Sequence, residues 1–354
     1  MSALRPAGDA AELTLWLRAE SRADERRTPL VPADVATLVA AGIDVVVERS
    51  PHRVFADDDY AAVGARSADT GSWPQAPETA VVLGLKELPP EPYELRHRHV
   101  FFGHAYKNQP GARLLLDRFA AGGGTLLDLE YLTDDTGRRI AAFGYWAGYV
   151  GAALAVLQHA GALELPLRPG TREQLDGQLA EVAAGRPRVL VLGALGRSGT
   201  GARDALDAAG LPATGWDVAE TRELDRAAML DHDVLVNTVL TIRPSRPYLT
   251  VDDLAEPHRL AVLCDVTNDV GSPYNLFPVY EETTSWQQPV YRVPGDGLAV
   301  IAIDNLPSLL PREASVSFSA ELVGAMPGLR TGSAPWRRCR ELFDRYLAGD
   351  GESA

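Results

Sequence analysis

Cysteine is nearly absent: only Cys264 and Cys339 occur in 354 residues. Two thiols make neither a disulfide framework nor a metal-ligand pattern, so each reads as an ordinary buried thiol and no metal is expected. Positive charge is also scarce. Against 48 acidic residues stand 34 basic ones, a net charge of −14. That balance argues against nucleic acid or an anionic membrane surface as partner, because both select basic surfaces. The first dozen residues lack a basic start followed by an apolar core. No signal peptide is therefore expected, and the cytoplasm is the expected compartment. Long apolar runs are missing with one exception, the 18 residues Phe143–Ala160 (FGYWAGYVGAALAVLQHA), which carry no Asp, Glu, Lys or Arg. Eighteen residues is the lower limit for a membrane span. The segment stands alone, is rich in Gly and Ala, and includes Gln158 and His159. It reads as a buried helix packed between two domains, its small residues letting neighbours approach closely. No internal repeat or low-complexity tract is present.

What the chain does contain is ordinary globular material, 46% apolar and 23% charged, in a length that suggests about two domains. Short β-rich runs alternate with helical patterns. In the first half, strands are expected at Leu13–Leu17, Val45–Glu48, Val81–Leu85, Val100–Gly103 and Thr125–Leu129, and helices at Pro32–Ala41, Asp57–Ala62 and Gly111–Ala121. A second alternation begins at Arg188, with strands at Val189–Leu192, Ala213–Trp216, Val234–Asn237, Ala261–Asp265 and Ala299–Ile303. Between the two lies a Pro- and Gly-rich connection with a helical insert near Glu173–Ala184. Helices at about Arg312–Ala325 and Pro335–Leu347 return to the first domain. The expected fold is α/β: two Rossmann-like domains with parallel sheets flanked by helices and a ligand cleft between them. The expected division is 1–142 with about 318–354 as the substrate domain, and 143–317 as the dinucleotide domain.

The most informative segment is VLVLGALGRSGTGA, where a β-rich run enters a glycine-rich turn and a helical pattern follows. Gly193, Gly196 and Gly199 let the backbone turn sharply and let a pyrophosphate reach main-chain amides, and the helix N-terminus beyond favours negative charge. The spacing is GxxGxxG, weaker as a signal than GxGxxG. Asp217 strengthens it, ending a second strand about 20 residues past the glycines, where a ribose-diol acceptor belongs.

Several ionisable residues fall at the ends of expected strands, where a ligand site forms. Lys86 follows VVLGL, His104 follows VFFG, and Lys107 lies three residues on. Arg27 follows the first strand, Arg138 and Arg139 occupy the turn before the apolar helix, and Asp304 ends AVIAI. A lysine in a suitable pocket can serve as a base, and histidine exchanges protons near neutral pH. Each also has a plainer reading: a solvated lysine, arginines decorating a hairpin turn, an aspartate capping a turn.

The segments LWLRAE, ERRTPL, VFADDDY, TGSW, GLKELP, GHAYK, GGGTLLDLEYL, GRRIAAFG, GALGRSGTGA and DNLPSLLPREAS occur in this order. Together they resemble saccharopine dehydrogenases of the lysine-forming type, over nearly the whole chain from about Leu13 to Tyr346. The wider relatives are alanine-dehydrogenase-like enzymes. The resemblance implies NAD as cofactor and saccharopine, L-lysine and 2-oxoglutarate as small-molecule substrates. It implies Lys86 as base and His104 as second acid–base group. It puts Arg27, Lys107, Gln109, Arg138, Arg139, Phe143 and Asp304 at the substrate, with Asp304 paired to Arg27. It gives the pyrophosphate turn to Gly196 and Arg197, the adenosine ribose to Asp217 and Thr221, and the nicotinamide side to Val266 and the run Ile303–Leu306 with Asp304 and Leu306. Ser198 and Thr238 stand where the fungal enzymes carry cysteine, and Leu240 replaces a tyrosine near the cofactor. Another opine-forming or alanine-dehydrogenase-like enzyme, and a non-catalytic nucleotide sensor, stay open as alternatives. Oligomeric state is left open, a monomer included.

Overall fold

The computed structural model describes residues 13–106, 111–241 and 245–349. The chain divides into two compact units, residues 1–142 with 315–354 (unit 1) and residues 143–314 (unit 2).

Unit 1 is built on β1 (Thr14–Leu17), β2 (Asp44–Glu48), β3 (Arg66–Ala68), β4 (Val81–Leu83), β5 (Arg98–Phe101) and β6 (Thr125–Asp128). The sheet order is β3-β2-β1-β4-β5-β6, and every pairing is parallel. The connecting helices include α1 (Pro32–Ala40), α2 (Asp57–Ala62) and α3 (Ala112–Gly122). Their ends follow local chemistry. Pro32 starts α1 with a preset φ, three aspartates oppose the dipole in the first turn of α2, and Gly123 closes α3 at φ +75°. The winding reverses between β1 and β4, which makes the carboxyl ends of those two strands the topological switch point.

Unit 2 opens with α4 (Gly144–His159) and α5 (Arg172–Val182). Its sheet holds β7 (Val189–Leu192), β8 (Ala213–Trp216), β9 (Val234–Asn237), β10 (Val262–Asp265), β11 (Tyr291–Arg292) and β12 (Ala299–Ile301), in the order β11-β12-β10-β9-β7-β8. Only β11 runs antiparallel to its neighbour. The α-helices described between the strands are α6 (Arg197–Ala208), α7 (Val218–Thr221) and α8 (Arg226–Leu230). The central strands β7, β9 and β10 are buried on both faces, which is why β7 reads as an unbroken Val/Leu run and β9 and β10 turn polar only at their last residues, Asn237 and Asp265. The last helices are α9 (Pro311–Leu322), which carries the chain back to unit 1, α10 (Gly328–Thr331) and α11 (Ala334–Ala348). Phe343 of α11 packs edge-on against Phe119 of α3, their ring centroids 5.5 Å apart.

The apolar segment from Phe143 forms α4, a buried component of unit 2's core, packed on α5, α6, β9 and β10, its buried side chains clustering with residues of that unit. It is apolar all round because it is enclosed all round. Among the described residues no helix is long and apolar enough to cross a membrane. Where α4 crosses α6, backbone meets backbone. A Cβ on Gly148 would lie 1.8 Å from the Ser198 carbonyl oxygen, and one on Gly201 would lie 1.9 Å from that of Tyr145.

Candidate active site

In unit 1 four adjacent parallel strands deliver their charged residues to one sheet edge. Arg18 and Glu20 follow β1, Lys86 follows β4, His104 follows β5, and Asp128 ends β6 with Glu130 just beyond. Lys86 therefore leaves its strand at the switch point, half-buried. Arg27 is buried, and its carboxylate partner within unit 1 is Glu25. Arg27 Nε and Nη2 donate to the two Glu25 oxygens at 2.9 and 2.6 Å, and the Arg27 amide adds a third bond at 3.0 Å. Burial pushes the Glu25 carboxyl up, but the charge and hydrogen bonds of Arg27, with the nearby Lys86 charge, outweigh it and hold the group below its ordinary range. Asp304, the partner that the resemblance implies, is an exposed residue of unit 2.

His104 takes the left-handed backbone region, φ +50°, which non-glycine residues rarely adopt. Its Nδ1 lies 3.7 Å from Glu130 Oε2. Asp128 holds this corner from below, accepting the amides of Gly103 at 3.2 Å and Glu130 at 2.9 Å. Burial, with the neighbouring Glu130 charge, pushes the Asp128 carboxyl up to about 7 despite those bonds. Arg138 and Arg139 close a hairpin turn in which Asp134 Oδ1 accepts the Arg138 amide at 3.0 Å, and Arg138 is exposed. Phe143 is the N-cap of α4 and packs on unit 2's core. Lys107 and Gln109 lie outside the described residues.

In unit 2 the turn after β7 is tightly tied. Gly193, at φ +74°, donates to the Trp216 carbonyl at 2.8 Å, and Gly196 donates back to Gly193 at 3.0 Å. A Cβ on Gly199 would lie 2.1 Å from the Gly193 oxygen, so the turn can fold onto the helix only with glycine there. Gly196 is the N-cap of α6 and has no side chain with which to cap the first amides, and Arg197 begins the helix. Asp217, half-buried, is joined to this turn. Its Oδ2 accepts the Leu195 amide at 2.9 Å, while Oδ1 accepts Val218 N–H at 2.8 Å at the start of α7. Thr221 Oγ1 donates to the Asp217 carbonyl at 2.8 Å. Around this corner Leu195, Val218 and Leu240 leave large apolar side chains exposed. A glycine cradle, an uncapped helix start, an acidic group beside it and bare apolar surface together suit a dinucleotide's pyrophosphate, ribose and base. Thr238 supports the turn, its Oγ1 donating to the Leu192 carbonyl at 2.6 Å. Val266 is half-buried, whereas the side chains of Ile303 and Leu306 lie within the core, so any ligand contact from those two is through backbone. Among the described residues no cluster of His, Cys, Asp and Glu is placed to hold a metal ion.

Sequence reasoning passed over Arg18, Glu20, Glu25, Asp128 and Glu130, all of which stand in charged loops or at a strand end with no mark of burial. A compositional signal bears on Lys86: of the 34 basic residues only Lys86 and Lys107 are lysine, and the rest are arginine. Arginine supplies permanent charge, whereas lysine can give up its proton. The chain keeps lysine at two positions only, and one of them is the strand end at the switch point.

The chain matches the family model described as alanine dehydrogenase/PNT, N-terminal domain, over residues 16–150. It is 41% identical to a saccharopine dehydrogenase (NAD(+), L-lysine-forming) of Emericella nidulans, covering 94% of this chain and 97% of the relative. The Yarrowia lipolytica protein of the same description is also 41% identical, over 97% of this chain and 100% of its own length. Among solved structures, an L-alanine dehydrogenase superposes with a TM-score of 0.68 at 19% identity, over 96% of this chain and 94% of that one.

Proposed function

The chain belongs to the NAD(+)-dependent, L-lysine-forming saccharopine dehydrogenase family, and from that membership we propose that it interconverts saccharopine, NAD(+) and water with L-lysine, 2-oxoglutarate and NADH. The observation that carries the reading is the placement of Lys86 and His104 just past the adjacent strands β4 and β5, with Lys86 at the switch point. NAD(+), when bound, accepts or returns the hydride. Gly193, Gly196, Arg197 and Gly199 would hold its pyrophosphate, and Asp217 with Thr221 its adenosine ribose. Val266, Ile303, Asp304 and Leu306 would border its nicotinamide, and Leu240 would lie near the cofactor.

The chain's own residues do the proton work. The secondary amine of saccharopine must lose its proton before its C–H bond can be oxidised, since a protonated nitrogen has no lone pair to form the imine. Lys86 takes that proton. Water then adds to the imine carbon, and the resulting carbinolamine must lose a proton at oxygen and gain one at nitrogen before the C–N bond breaks. His104, paired with Glu130, serves those transfers in both directions. The three carboxylates of saccharopine need cations, and Arg27, Lys107, Arg138 and Arg139 are the groups assigned to them, with Gln109 and Phe143 beside them. Arginine's planar fork suits a carboxylate. The substrates are small molecules, and the proposed compartment is the cytoplasm, where the two buried free thiols would stay reduced.

The test is NADH oxidation across a panel of amines and 2-oxo acids, with products identified by mass. Lysine with 2-oxoglutarate should give saccharopine and exceed every other pair. Comparable use of pyruvate would favour a general opine former, and tight NADH binding with no turnover would favour a sensor. Lys86→Met and His104→Gln should each lower kcat at least about 10²-fold with little change in NADH affinity, as general acid–base catalysis contributes on that scale. Near-normal turnover in both variants would remove the mechanism.

A further inference from the structure

A buried guanidinium is costly unless charge and acceptors surround it. Arg18 is 2% exposed, directly after β1. Glu20 sits beside it, the pair 3.2 Å apart and both side chains almost fully enclosed. Arg18 also donates to the carbonyl of Ala19 at 3.2 Å and to the carbonyl of Lys86. Glu20 accepts from the other side of the same peptide chain, taking the amides of Leu85 at 2.7 Å and Lys86 at 3.0 Å. Lys86 is thus held at both its N–H and its C=O by two side chains that are themselves ion-paired. The arrangement shapes its neighbours as well. A Cβ on Gly84 would lie 2.4 Å from Arg18 Nε, and the Phe101 ring centre lies 6.0 Å from the guanidinium carbon.

The sheet does not require this pair. β1 and β4 are already joined in register from Leu15↔Val81 to Leu17↔Leu83, and the Arg18 amide extends the ladder to the Leu83 carbonyl at 3.0 Å. A buried ion pair is also weak evidence for stability, since apolar residues of similar volume often serve as well. What it adds is location: past β4 the ladder to the β5 side ends at Leu85, whose carbonyl accepts the Phe102 amide at 3.1 Å, and this clamp takes over at the next residue, where chemistry needs a fixed base. The geometry points to Arg18 and Glu20 as positioning residues that hold the Lys86 peptide so that its side chain starts from one place. This deepens the proposed function, because it rests on Lys86 being the acid–base group.

The scarcity of lysine gives a direct readout. Reductive methylation with 13C-formaldehyde labels two side chains, Lys86 and Lys107, besides the N-terminal amine, and Lys86→Met assigns the first. In Glu20→Gln the Lys86 resonance should shift, broaden and titrate differently while that of Lys107 holds. The unlabelled variant should lose about 10- to 100-fold in kcat, the scale of an ångström of misplacement, with KM for NADH unchanged. Glu20→Asp, which keeps the charge but cannot span both amides, should fall between, and it serves if Glu20→Gln does not fold. A Lys86 resonance unaltered in position, width and titration in the folded variant overturns the proposal, whatever happens to activity. An altered resonance with wild-type kcat also overturns it, because placement then does not matter to the reaction. If Lys86→Met itself turns over normally, the failure is that of the acid–base reading, and the clamp falls with it.

Discussion

Asp217 does two things with one carboxylate. It caps α7 and ties that cap to the glycine turn through Leu195, and in the proposed function it also meets the ribose hydroxyls. A carboxylate there accepts from both hydroxyls and repels a 2′-phosphate, so NADH should be preferred to NADPH, although Arg222, five residues further on, moderates the repulsion. Asp217→Ser keeps a capping oxygen and loses the charge. It should weaken NADH binding about tenfold or more, since hydrogen bonds to charged groups are worth about 1.5–3 kcal/mol. The gap to NADPH in kcat/KM should narrow, and a wild-type preference for NADPH would mean that Asp217 serves only the turn. His99 makes a second case. It is buried among Trp73, His97 and Phe119, and neither of its ring nitrogens has a hydrogen-bond partner. Burial, with the nearby charges of His97, Arg18 and Arg118, holds its pKa well below 6.5. The unfolded chain therefore takes up this proton first. The stability contributed by neutral His99 is whole above pH 6.5 and is lost progressively as pH falls below that value toward the folded pKa. His99→Leu should flatten that acid limb and raise stability near neutrality by about 1–2 kcal/mol, by removing two unsatisfied buried atoms. Denaturant titrations at pH 5 and pH 7.5 check both; a limb as steep as wild type would mean that other groups carry it.

Elements were legible where burial leaves a mark on sequence. Val189–Leu192 and Val234–Asn237 read as strands because both faces are covered. The edge strands Arg66–Ala68 and Tyr291–Arg292 did not, because their exposed side chains carry no apolar pattern. The short α7 has a readable signal in Asp217 and Glu220, the two ends of a capping box. Arg18 and Glu20 were not legible at all: in RAESRADERR they look like any solvated charges, and only the pairing of β1 with β4 encloses them. The α4–α6 crossing lies between these extremes, since the glycines were evident but their partner helix was not. That crossing governs the glycine turn after β7, because the Ser198 oxygen facing Gly148 belongs to the first turn of α6. Gly148→Ala should therefore push α6 off its seat, lower the thermal midpoint by the equivalent of about 1–3 kcal/mol, and weaken NADH binding. An unchanged NADH affinity in a folded Gly148→Ala protein would show that the turn is set independently of α4.

At the scale of the whole molecule, unit 1 is made from two separate stretches and unit 2 from one unbroken stretch. The late segment is integral to unit 1. Ser315 and Ser319 accept the amides of Thr28 and Val31 at 2.9 and 3.0 Å, and Phe343 joins the core of Phe101, Phe119 and Leu126. Residues 143–314 expressed alone should fold and bind NADH, as followed by fluorescence. Residues 1–142 alone should aggregate or be rapidly proteolysed, with each uncovered core side chain forfeiting about 1.5–3 kcal/mol of burial. A soluble, protease-resistant 1–142 fragment would contradict this. The same connectivity sets an order in time. A ribosome delivers Lys86 and His104 before unit 2, but the helix that seals their sheet after it. At about 5–20 residues per second, synthesis of unit 2 alone occupies roughly 10–30 s. For that interval unit 1 waits as an open sheet, while unit 2 is already able to fold.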